Sequence, residues 1–247
     1  FSKVGPTLRL EAVKALARLD QVAESLAVIA DIKELSLSVA DGIPGVSGFQ
    51  GFMNYGLGAL ALDVDAQDLS LHFGNLYDQA WALETVRGRL ALRQLEDGYA
   101  LSSGKLLANS EHISAVGKLE MNLPRDRRDR TWGLMIGARN FDLSAAQPFI
   151  PSTVPRDAAA WLQDNLLSGR ADVTGLIVHG SLDRVSPKIE KRYMLEVAVA
   201  NAEVQYAPDW PNASEVSGVL QISNEGVYGA PLLANVLETT LEDLSLV

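Results

Sequence analysis

The sequence contains no cysteine, so disulfides and thiolate metal sites are excluded. Aromatic residues make up only 6% of the chain, few for a sandwich or barrel that draws large rings into its core. No apolar run approaches the roughly 20 residues that a membrane-spanning helix needs. Positive charge is in deficit, with 21 Lys and Arg against 31 Asp and Glu, a formal charge of −10. That balance opposes a surface built to follow nucleic-acid phosphates, and it opposes broad attraction to anionic lipid surfaces. Any lipid contact is then mainly apolar. The chain opens on Phe1, with no basic segment ahead of an apolar stretch. This is expected of a piece excised from a longer protein, with any signal or anchor outside it.

What is present suits a folded chain: 247 residues, 47% hydrophobic and 21% charged, with Gly and Pro spread throughout. Leu10, Val13, Leu16, Leu19, Val22, Leu26 and Ile29 recur at three-to-four spacing, which predicts helix from Thr7 to about Ile32. After Lys33 the period becomes two. Leu35, Leu37 and Val39 alternate with polar residues before Gly42-Ile43-Pro44-Gly45 breaks the run. Leu60, Leu62 and Val64 follow, then a phase slip near Ala66 to Asp68 that signals a bulge, then Leu69 and Leu71. Val86, Gly88, Leu90 and Leu92 share one face and Arg87, Arg89 and Arg93 the other; Asp97-Gly98 then predicts a hairpin. Leu119, Met121 and Leu123 precede the charged turn Arg125–Arg130, and Trp132, Leu134 and Ile136 follow it. A helix near 155–168 opens at Pro155 and ends before Gly169. Further strands run from Val173 to the end. The expected organisation is a helical segment at 1–32 and a sheet at 33–247 with one inserted helix.

Sites of chemistry are scarce. His72, His112 and His179 lack metal-binding spacing. Gly98…Gly104-Lys105 has the wrong spacing for a phosphate loop, and Leu106 stands where Ser or Thr should be. Gly45-Val-Ser47-Gly48 is no nucleophile elbow, and Asp63, Asp65 and Asp68 do not continue as a calcium loop. Asn212-Ala-Ser214 is a formal glycosylation sequon. No acid–base or nucleophile constellation points to an enzyme. Trp161 and Trp210 suit local packing or a lipid interface.

The stretch "RNFDLSAAQPFIPSTVPRDAAAWLQDNLLSGRADVTGLIVHGSL" from Arg139 resembles the YhdP family, a branch of the AsmA-like proteins of Gram-negative envelopes. The matching residues are Asp142, Pro151, Pro155, Trp161, Leu162 and Gly169. Gly175 to Leu182 is similar to a family strand, and Pro187 stands where a Phe-Pro pair is usual, with Ser186 replacing the Phe. Tyr206, Trp210 and Pro211 match a "Y…WP" signature, "IPGVSGFQG" from Ile43 matches a "PG..G..G" element, and Asp243-Leu244 resembles the closing strand. Between Val39 and Ile43 the family has a longer stretch, which leaves strand pairing around Gly42 open.

The resemblance implies a mainly β protein with a few α-helices: an elongated, twisted antiparallel sheet forming an open hydrophobic groove. It implies a periplasmic location, an inner-membrane anchor helix outside this chain, phospholipids as partners moved between inner and outer membrane, and no cofactor. Nucleic acid is not an expected partner. The residues expected to line the groove are Leu60, Leu62, Leu90, Leu92, Leu134, Ile136, Val173, Ile177, Leu195, Val197, Leu220 and Ile222. Each suits equally well an ordinary core position against a helix or another strand. A non-enzymatic structural or interaction module with a filled core is the competing expectation.

Overall fold

A computed structural model describes residues 5–39, 44–74, 77–152, 154, 156–183 and 187–246. The expected break at Gly42-Ile43, the helix-opening Pro155 and the departure at Ser186 lie outside the described residues. Fifteen strands form one sheet. They are β1 (Thr7–Leu16), β2 (Ala27–Leu37), β3 (Gly45–Gly56), β4 (Ala59–His72), β5 (Trp81–Leu95), β6 (Gly98–Ser103), β7 (Leu106–Asn109) and β8 (Ser114–Pro124). After them come β9 (Thr131–Arg139), β10 (Phe141–Asp142), β11 (Leu166–Ser181), β12 (Arg192–Val204), β13 (Ala213–Ser223), β14 (Gly226–Val236) and β15 (Thr239–Leu246). The sheet order is β1-β2-β3-β4-β5-β6-β8-β9-β11-β12-β13-β14-β15, with β7 bridging β5 and β8 and β10 beside β11. Every pairing is antiparallel, so neighbours in sequence are neighbours in space.

The expected helix at Thr7 to Ile32 is corrected. The region is the antiparallel pair β1–β2, with only a four-residue helix, α1 (Val22–Ser25), between them. The sheet therefore begins at Thr7 rather than near residue 33. The physical reason is a pair of register irregularities. Ala12 takes φ 50 inside β1, and the register shifts between Glu11 and Lys14. One extra residue in a period-two pattern moves the next apolar position from i+2 to i+3, which imitates a helical stripe.

Elsewhere local chemistry explains the turns. Leu57 (φ 50) and Gly58 (φ 72) close the β3–β4 hairpin as a two-residue turn whose positive φ values match strand twist. The hairpin expected at Asp97-Gly98 is shifted by one residue: Glu96-Asp97 form the loop, and Gly98 opens β6 with φ 123. A Cβ at Gly98 would run into the Leu123 carbonyl. The slip in β4 is present as Asp68 at φ 55. It leaves Ala66 (1% exposed) and Leu69 (3%) buried in one cluster with Ile32, Phe49, Val64 and Leu83.

The second helix, α2 (Arg156–Asn165), precedes β11. All strands belong to one layer, and the surface area reflects it. The chain exposes 16217 Å², whereas a compact globule of 26.6 kDa exposes about 10,700 Å². Among the described residues no large side chain is fully buried.

Candidate functional site

Residues directly opposite on antiparallel strands share a face, so the register alone traces which side chains lie together. Starting at β3, Tyr55 pairs with Leu60, Leu60 with Leu92, and Leu92 with Leu101; Met53, Leu62 and Leu90 form the next row. Leu101 pairs with Met121, and Met121 with Trp132. Leu119, Leu134 and Val178 make a row, and Ile136, Leu176, Leu195 and Ile222 another. Val197 and Leu220 sit beside that row on the same side. One mainly apolar face therefore continues from β3 to β13, broken along these rows only by Ser103 opposite Leu90 and Thr174 opposite Val197. At β2 it extends through Ala30 and Ile32, opposite Met53 and Gly51.

Ten of the expected lining residues lie on this face: Leu60, Leu62, Leu90, Leu92, Leu134, Ile136, Leu195, Val197, Leu220 and Ile222. Ile177 does not: it pairs with Met135 and Met194 on the opposite face and is 45% exposed, while its neighbour Val178 is 7% exposed. Val173 pairs through its backbone with Ala198 in the β11–β12 ladder. Leu176 and Val178, on either side of Ile177, lie on the apolar face. Three consecutive apolar residues, Leu176-Ile177-Val178, carry no alternation from which the phase can be read.

The other face is mixed: Met135, Ile177 and Met194 form an exposed apolar row on it, and charged pairs stand elsewhere. Asp63 pairs with Arg89 (3.3 Å) and Asp65 with Arg87 (2.9 Å) at directly opposed positions, and Gln221 donates to Glu196 at 2.9 Å. Such exposed pairs contribute about 0–1 kcal/mol each and set register rather than stability.

The chain covers part of its own apolar face at one end. Asp142 accepts hydrogen bonds from the Ser144 hydroxyl (2.7 Å) and amide (2.9 Å), which holds its carboxyl below the usual range. This caps the 3-10 turn Leu143–Ala145. Leu143 packs on Ala171 and Ala202, with Val197 and Val199 alongside. The next turn, Gln147–Phe149, reaches β5, where the Trp81 indole donates to the Pro148 carbonyl at 3.0 Å. Phe149 sits between Trp81 (5.2 Å, tilted) and Phe141 (5.4 Å, edge-to-face), and Phe73 and Tyr77 complete the cluster. Burial there pushes the Tyr77 hydroxyl pKa up. This strap was missed in the sequence. Its only signal is that five of the scarce aromatics flank strand ends far apart in the chain.

At the opposite strand ends lies the charged turn. Asp126 is gripped by Arg128 at 2.9 Å, which lowers its carboxyl to about 2. Trp161 and Trp210 are both exposed, the latter against Tyr206. Asn212 donates to Glu203. Among the described residues no three His, Asp or Glu side chains gather as a metal site, and no helix is long and apolar enough to cross a membrane.

The sequence model described as YhdP protein matches residues 1–246. The chain belongs to the YhdP family. No curated protein and no solved structure matches it. For this YhdP-family chain the candidate site is thus a surface: a face of aliphatic side chains spanning most of a single-layer sheet.

Proposed function

We propose that this chain is a segment of a periplasm-spanning lipid-transfer protein. Its apolar face shields phospholipid acyl chains on their way between inner and outer membrane, without enzymatic chemistry. The observation that carries the reading is the in-register apolar face from β2 to β13 that lacks a second layer over most of its extent. A soluble single-domain protein ordinarily pays no such area to solvent, because an apolar face is stable only when something covers it.

The energetics suit acyl chains. Each methylene taken from water gains about 0.8 kcal/mol, so a chain of roughly 16 carbons gains about 12 kcal/mol. The ten strands side by side from β2 to β13, at about 4.8 Å, give a face roughly 45 Å long. Rows that are mostly aliphatic hold a flexible tail with similar strength along much of their length, so the tail can move along them. Strand twist makes a single sheet of this width curl, and curling around its apolar side turns the face into an open groove with the headgroup left in water. The strap favours the second reading, a structural module, because it fills part of the face with the chain's own rings.

The test is extraction of lipid from protein purified out of a Gram-negative periplasm. Wild type is expected to retain phospholipid, and the double variant Leu90→Asp/Leu195→Asp to retain at least tenfold less while keeping its β circular-dichroism spectrum, since each charge costs several times the gain of a methylene. Equal lipid in both, or none in either, overturns the reading in favour of the module.

A further inference from the structure

We infer that a recess where the apolar face meets the charged rim binds a phosphate ester, the headgroup phosphate of a lipid whose tails lie on that face. This rests on the function proposed above. The recess, about 130 Å³, is lined by Gln94, Tyr99, Leu123, Pro124, Arg125 and Arg130 among others, with no acidic side chain in its wall. One water needs roughly 10–15 Å³, so a phosphate group fits. Tyr99 pairs with Leu123 and with Gln94 in the apolar-face register, so the recess opens where that face ends.

The charges of the neighbouring turn leave cations over. Asp126 is taken by Arg128 and Asp129 by Lys188. Asp97 stands 4.0 Å from Arg125, whose side chain is 82% exposed and reaches into water. Arg130 is half-buried, and its Nε donates to the Pro124 carbonyl at 3.1 Å. That bond fixes the plane of the guanidinium, and its remaining N–H groups meet no other acceptor among the described residues. A guanidinium held at one edge presents a fork matched to two phosphate oxygens. Tyr99 adds a ring that is apolar along its body and polar at its tip, suited to the junction between glycerol and tail. The overall charge of −10 keeps anions away elsewhere, so a local cationic recess also fixes which way round a lipid lies.

The experiment titrates the whole chain with four probes, following arginine side-chain NMR signals: dihexanoyl phosphatidic acid, uncharged dihexanoylglycerol, glycerol 3-phosphate and inorganic phosphate. Wild type is expected to bind the phosphatidic acid at least tenfold more tightly than the diacylglycerol, the size of a charge-assisted hydrogen bond. Arg125→Gln/Arg130→Gln should erase that difference and leave diacylglycerol binding unchanged, and Arg130→Lys should restore only part. A double variant that binds both lipids as wild type does overturns the inference while the apolar-face reading stands. Diacylglycerol that fails to bind wild type, with phosphate still perturbing Arg130, sinks the face reading and assigns the recess to free phosphate.

Discussion

The two ends of the strands are built differently. Where β4, β9 and β12 finish, the connections to β5, β11 and β13 are long and carry Phe73, Tyr77, Phe141, Phe149, Trp161, Tyr206 and Trp210, although β14–β15 turns in two residues at the same end. At the other end β3–β4, β5–β6 and β13–β14 turn in two residues, and the longer loops 125–130 and 182–191 carry charges and no aromatic ring. The first end ties down its own apolar face with a strap, whereas the second leaves the face open at a polar margin. A sheet with a single layer needs bracing against splaying, and cross-face ring packing supplies it at one end only. The open margin is then the end suited to a charged headgroup, and the strapped end the one suited to structural support.

The strap gives the larger effect. Trp81→Ala removes the indole that meets Phe149, Phe73, Tyr77 and the Pro148 carbonyl. For a half-buried ring the expected loss is about 2–3 kcal/mol, read as a fall in Tm of roughly 5–10 °C by calorimetry. Faster hydrogen exchange should appear in residues 141–150 and not in 125–130. A Tm unchanged within error would mean that the two ends are not distinguished by bracing.

At the charged rim the effect is near zero. Arg128→Ala should leave Tm at neutral pH unresolved from wild type, because the Asp126–Arg128 pair is exposed to solvent. Its sign follows from the pKa. The Asp126 carboxyl is lowered to about 2 from an ordinary 3.8, so whatever the pair contributes is present above the ordinary value and lost as pH falls through about 2. Wild type and variant should therefore unfold together in strong acid. A large neutral-pH loss would show the turn to be a brace like the strap.

The same contrast marks what the sequence could disclose. Alternation over Leu60–Val64, Val86–Leu92 and Leu195–Val197 was legible because each strand buries one face, and those positions meet in register. The β1–β2 pair was hidden by the bulge at Ala12 and the register shift beyond Arg9. The side chosen by Ile177 was hidden within an unbroken apolar triplet. The strap was invisible for a different reason. Its contact from Trp81 to Pro148 joins residues 67 apart, and local periodicity carries no information over that distance. The arginine turn was legible as charge, but which arginines remain after Asp126 and Asp129 are neutralised emerges only from geometry.

Neighbouring positions on opposite faces give the most direct test of an apolar face made for lipid. A photo-crosslinking amino acid placed singly at Leu134 and at Met135 samples the two sides of β9 one residue apart. In periplasm-derived membranes a phospholipid adduct is expected at 134 and none above background at 135. Equal adducts at both positions, or none at 134 in a folded variant, would contradict it.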